Sequence, residues 1–119
     1  MDYLIKESST ILTPALAIYV DMVEHNIKTT VGLLSGNANR WRPHLKTVKL
    51  SYVMKMLVGH GVMAFKCATT LELLKACEAG ARDVLLAFPA VGPTASRVVE
   101  IAGNSLKFGF RCLSTTERS

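Results

Sequence analysis

The sequence predicts an α/β protein built on a parallel sheet, and two observations predict it. Strand-like runs start near residues 41, 62, 83 and 106, about twenty residues apart, with a helical pattern between each pair; a parallel crossover needs about a dozen residues, which this spacing supplies. The run Asp83-Val84-Leu85-Leu86-Ala87-Phe88 is almost continuously apolar, as strands covered on both faces of a parallel sheet are. Repeats this short, with tight loops, suit a (β/α) barrel better than a doubly wound sheet. Four strands are half of the eight such a barrel needs, so the expected architecture is a partial (β/α)8 TIM barrel, about its first half. An open half-barrel leaves a sheet edge and an apolar face uncovered. The chain is therefore expected either to be a fragment or to close against a second copy.

Each element has its own signal. Residues 1–12 are a mixed lead-in, and 13–119 form the expected incomplete barrel domain. After Thr13-Pro14, the run Ala15-Leu16-Ala17-Ile18-Tyr19-Val20 reads as a strand. Asp21 followed by Glu24 resembles a capping box, and Val23, Ile27, Val31 and Leu34 keep one helical face to about Gly36. A strand is expected over 41–47. Tyr52, Val53, Met56, Leu57 and His60 then fall near helical spacing, ended by Gly59 and Gly61. Val62 to Ala68 is the next strand; Thr69 and Glu72 repeat the capping pattern, and the helix from Thr70 stops at Gly80. A helix is expected over 94–102 on Ala95, Val98, Val99 and Ala102, ended by Gly103. Leu106 to Cys112 reads as a last strand, and Ser114-Thr115-Thr116-Glu117 looks like a further helix cap.

The chain has 119 residues, enough for one domain; 50% are hydrophobic and 19% charged, which favours a buried core over disorder. The net charge of +5 comes from Lys and Arg scattered along the chain, a weak nucleic-acid signal. No stretch reaches the roughly 18–20 uninterrupted apolar residues of a membrane span, and the N-terminus lacks a signal-peptide pattern. A cytoplasmic protein without nucleic-acid or membrane partners is expected. Cys67, Cys77 and Cys112 are odd in number and lack metal-ligand spacing, so they read as small buried hydrophobes.

The chemistry-bearing stretch is Arg42-Pro43-His44-Leu45-Lys46-Thr47-Val48-Lys49. Read as a strand, it points Arg42, His44 and Lys46 to one face and Trp41, Pro43, Leu45 and Thr47 to the other. Three basic groups on one face make either a solvated edge or a site, since an unpaired buried charge is costly or loses its proton. The apolar strands that follow favour a site. In a (β/α) barrel the working residues lie at the C-terminal ends of the strands, where Lys46 falls. Beside other cations and away from water, such a lysine becomes a nucleophilic amine able to form a Schiff base; the alternative is a lysine reaching solvent at a strand exit.

Thr13-Pro14-Ala15-Leu16, then Asp21 and Asn26, then Arg42-Pro43-His44-Leu45-Lys46-Thr47, resemble the N-terminal part of the D-threonine aldolase and D-serine dehydratase group. Phe65-Lys66-Cys67-Ala68-Thr69-Thr70-Leu71-Glu72 and Asp83-Val84-Leu85-Leu86-Ala87-Phe88-Pro89 follow in the group's order, so the likeness spans about residues 13–112. That group is related to the alanine racemases, fold type III enzymes whose pyridoxal-phosphate-dependent barrel carries an additional β domain. The resemblance implies a lyase or isomerase acting on D-amino or β-hydroxy amino acids. It makes Lys46 the catalytic residue that carries pyridoxal 5'-phosphate as an internal aldimine, with His44 and Arg42 as candidate cofactor neighbours or inward-facing structural residues. It also assigns the 15–20 strand to the missing β domain. Val48 stands where the group usually has a second histidine. The group's phosphate-holding loops and divalent-metal ligands come from later segments with no counterpart here, so no metal ligand is assigned. The chain alone is expected to lack a complete active site. The other reading is a half-barrel interaction module that homodimerises or pairs with a separate C-terminal half.

The remaining candidates carry less. His25 and His60 read as surface or capping residues, and Gly59-His60-Gly61 lacks the spacing of a phosphate loop. Lys66 and Lys107 lie within expected strands and face the barrel interior or reach solvent. Met54, Met56 and Met63 read as core filling.

Overall fold

A computed structural model of the chain describes residues 3–105 and 111–114, the last four by backbone alone. Among them are the helices α1 (Val20–Leu33), α2 (Ser51–Gly59), α3 (Thr70–Ala79) and α4 (Pro93–Ser105) and the strands β1 (Ala64–Cys67), β2 (Asp83–Leu86) and β3 (Arg111–Ser114). The protein is mixed α/β, as expected. The strands form one parallel sheet in the order β1-β2-β3, with Ala64 in register with Asp83 and Asp83 with Arg111.

Period-two alternation decides which face of the sheet is covered. Phe65, Cys67, Val84 and Leu86 are buried, whereas Ala64, Lys66, Asp83 and Leu85 are half-buried. The buried set packs with Val53, Met54 and Leu57 of α2, Leu73 and Ala76 of α3, and Val98 and Ile101 of α4. All three helices thus cover one face. Each fully buried Leu, Phe, Met or Val contributes roughly 1.5–3 kcal/mol, so this layer is the core's main support. Met54 is core filling as expected, and Met56 packs against the same cluster.

Helix signals were mostly legible. The stripe of α1 faces inward through Ile27, with Val23 and Val31 packed beside it. The expected capping box at its start does not form: the helix begins at Val20 behind Tyr19, which gives no side-chain cap, and Asp21 lies within the first turn. Glu24 turns instead to Lys28, at 2.7 Å, one helical turn on. The second capping pattern does form, with Thr69 Oγ1 accepting the Glu72 N–H at 3.1 Å. Helix α3 ends at Gly80 with φ 101°, and a Cβ there would lie 3.3 Å from Val58 Cγ1. Gly80→Ala should therefore cost about 1–2 kcal/mol from the strained backbone, read as a lower melting temperature with the spectrum of the fold retained. Helix α4 runs through Gly103 to Ser105, past the expected stop; a glycine inside a helix costs only about 1 kcal/mol.

Two expected strands are corrected. Residues 15–20 are exposed and enter no ladder among the described residues, and Val20 already belongs to α1. A run of strand formers needs a neighbouring edge to pair with, and no described strand offers one there. Residues 41–47 form only one parallel bridge, His44 to Lys66, with the Lys66 N–H donating to the Pro43 carbonyl at 2.9 Å, before Leu45–Thr47 winds into a 3-10 turn. The cause is local. Pro43 has no N–H to give a ladder, the Lys46 N–H donates to His44 Nδ1 at 3.2 Å, and the Thr47 hydroxyl donates to the His44 carbonyl at 3.4 Å. The expected 62–68 and 83–88 strands are present in shortened form. Of the expected 106–112 strand, residues 106–110 lie outside the described residues, as does the cap pattern after Ser114.

Candidate functional site

The segment that bridges β1 at His44 adds a fourth parallel position to the free edge of the sheet. It carries the three basic residues singled out in the sequence to different fates.

Arg42 reaches across the open face. Its guanidinium donates to Asp83 Oδ1 at 2.9 Å and Oδ2 at 2.7 Å, and to the Phe65 carbonyl at 3.2 Å. The two-pronged geometry is the one in which arginine and a carboxylate bond most strongly. The hydrogen bond to Asp83 holds Arg42 still more firmly in its charged form. Of the two roles open to Arg42, this geometry favours the structural one. Asp83, not singled out from sequence, had a faint signal: an acidic residue opening an otherwise apolar strand, in step with the basic Arg42 two repeats earlier.

His44 is half-buried and accepts the Lys46 N–H through Nδ1, so its neutral form carries the proton on Nε2. Burial first, then the charges of Lys46 and Lys66, push its pKa below the usual imidazole value, against a smaller pull from Glu72. The folded state therefore binds a proton less readily than the unfolded one. The resulting stability is full above the unfolded pKa of about 6.5 and is lost as pH falls through it toward the lowered folded value. Urea denaturation between pH 8 and pH 5 should show this loss in the native chain and a smaller one in His44→Gln; equal slopes would remove His44 from the account.

Lys46 lies in the 3-10 turn at the C-terminal end of this bridged segment, the end where barrel sites are built, and it is exposed. The expected withdrawal from water is not met, since Lys46 is exposed. Lys66 is half-buried on the open face. His25 is exposed, and His60 Nε2 lies 3.8 Å from Glu24 Oε1, bridging α2 to α1. Lys107 lies outside the described residues.

Behind the bridged segment, a cleft of about 320 Å³ opens between it, α1 and α2, with Asn26, Thr30, Trp41, His44 and Met54 among its walls. Cys67 is fully buried, and burial pushes the thiol of half-buried Cys77 up, away from the reactive thiolate; the Cys112 side chain lies outside the described residues. No group of three or more His, Cys, Asp or Glu among the described residues could hold a metal ion. No helix among them is long and apolar enough to cross a membrane.

Glu72 is the residue that the sequence undersold. Read there as a helix cap, it is the one charged side chain buried among the described residues, 4% exposed, and it lies close enough to His44 to affect its titration.

Compared with protein-family models, with curated proteins and with solved structures, the chain matches none.

Proposed function

We propose that this chain is the N-terminal half of a pyridoxal-phosphate-dependent (β/α)8 barrel of the alanine racemase type, acting in the cytoplasm on D-amino or β-hydroxy amino acids. The observation that carries the reading is the position of Lys46: an exposed primary amine at the C-terminal end of the first parallel segment. Support for the barrel comes from strand order. The 41–44 segment, β1, β2 and β3 are neighbours in chain order, with the helices on one face, whereas a doubly wound sheet reverses order at a switch point. Arg42, Lys66 and Asp83 lie on the less buried face beside Ala64 and Leu85, and in such a barrel they would give its interior a charged lining suited to a small charged substrate.

The donor set fits the aldehyde end of pyridoxal phosphate. Lys46 would hold it through its amine, and His44, biased by burial toward its neutral form, would add little positive charge beside that amine. When bound, the cofactor withdraws electrons from the bonds at an amino acid's Cα. The Lys46 amine, when not engaged by the cofactor, would be placed to carry a proton to or from a substrate's Cα. Arg42, engaged by Asp83, fixes the spacing of the first strands.

The test is borohydride reduction of the native chain mixed with pyridoxal phosphate, followed by peptide mapping. The expected result is one dominant adduct, on Lys46, with an absorbance band that Lys46→Ala lacks. An even spread of label over the exposed lysines would overturn the reading.

A second reading, a half-barrel module that pairs with another half, is favoured by the sheet face that the described residues leave uncovered and by Leu12 and Leu16, which are 92% and 78% exposed. Sedimentation then shows a stable dimer while the adduct fails to form.

A further inference from the structure

Glu72 sits where two chain segments meet. Its Oε2 accepts the Ala68 N–H at 2.7 Å, which pins the exit of β1, and Thr69 caps the same helix turn. Its Oε1 is buried without a hydrogen bond, and Lys49 Nζ stands 3.7 Å from it. A carboxylate oxygen so placed is costly unless a charge compensates it.

Lys49 is in an unfavourable place by local criteria. Its φ of 56° is left-handed, which a residue with a Cβ adopts at some cost. Its charge also lies just before α2, whose N-terminus has no side-chain cap and no acidic residue in the first turn, and a helix N-terminus disfavours cations. Something non-local must hold Lys49 there. Lys75, the other cation lining the cleft of about 180 Å³ beside Glu72, is occupied by Glu78 at 2.7 Å. The Lys49 N–H closes the turn by donating to the Leu45 carbonyl at 2.9 Å, so what fixes Lys49 also fixes the turn that carries Lys46.

We infer that Glu72 is the positioning residue of the Lys46 turn, its buried carboxylate tying Lys49, and through it residues 45–49, to the exit of β1. This rests on Lys46 being the aldehyde-capturing residue, but the tie has its own readout.

The experiment compares Glu72→Gln, Lys49→Met, Lys49→Arg and the Glu72→Gln/Lys49→Met double variant with the native chain. Glutamine can still accept the Ala68 N–H, so α3 keeps its start and the far-ultraviolet spectrum is unchanged. The share of pyridoxal phosphate fixed on Lys46 should fall about fivefold in Glu72→Gln and in Lys49→Met, the scale of one modest interaction. The double variant should fall no further, and Lys49→Arg should stay near the native level. Amide exchange at Val48 and Lys49 should quicken in the same three impaired variants. Loss in Glu72→Gln with Lys49→Met unaffected would reduce Glu72 to a helix cap and overturn the inference, as would native behaviour in both. If the native chain itself fails to label Lys46 selectively, the functional reading falls, and amide exchange alone decides the tie: unchanged exchange in Glu72→Gln and Lys49→Met sinks it.

Discussion

Phe65→Ala is expected to cost about 3–5 kcal/mol, a large share of the roughly 5–15 kcal/mol that holds an ordinary domain folded. Phe65 is 1% exposed and lies in β1, with Val84 beside it in register and Leu73 and Met54 in the same buried cluster. Among the described residues the sheet is covered by helices on one side only, and the ring belongs to that apolar layer. Removing it takes away both transfer free energy and packing partners, and a short strand between two helices has little room to collapse into the space. Equilibrium urea unfolding, followed by circular dichroism, reads the loss as a lower midpoint at unchanged slope. The control is Leu71→Ala on the outer side of α3, where the side chain is 64% exposed; there a change within about 0.5 kcal/mol is expected. Similar losses at the two positions would mean that the layer described is not the core.

Signals confined to one element were read well from sequence, and signals that needed a neighbour were not. Ile27, Leu57 and Val98 fall on inward stripes because a 3.6-residue period needs no tertiary information, and Gly80 marks its helix end because a left-handed residue favours glycine wherever it stands. The 41–47 segment misled because alternation of basic and apolar residues fits a strand, while the competing bonds are specific to its own residues: the missing N–H of Pro43 and the His44 ring turned back on the Lys46 amide. Strand propensity at 15–20 was real but had no edge to pair with. Most telling is Glu72. The spacing Thr69-x-x-Glu72 announces a helix start, yet its carboxylate accepts from Ala68, one residue earlier than a capping box would have it, and leaves the other oxygen toward Lys49, more than twenty positions back along the chain. Nothing local encodes that meeting; it follows from where β1 and the bridged segment end.

Replacing Arg42 should separate scaffold from site. Arg42→Ala removes two charge-assisted bonds to Asp83 and one to the Phe65 carbonyl, in a place where both side chains are about a third exposed, at 33% and 30%. Charge-assisted bonds of this type contribute roughly 1.5–3 kcal/mol when well shielded and less when water competes, so a loss of about 2 kcal/mol is expected for the set. Arg42→Lys keeps the charge but not the fork, and should recover no more than half. Asp83→Asn should resemble Arg42→Ala, and the double variant should cost little more than either alone, as partners in one interaction do. The same variants bear on chemistry. With its guanidinium committed to Asp83, Arg42 contributes to the sheet and not to cofactor capture, so Arg42→Lys should leave the borohydride-fixed adduct on Lys46 near its native yield while lowering the urea midpoint. A tenfold loss of adduct with unchanged stability would reverse that assignment and return Arg42 to the cofactor's immediate surroundings.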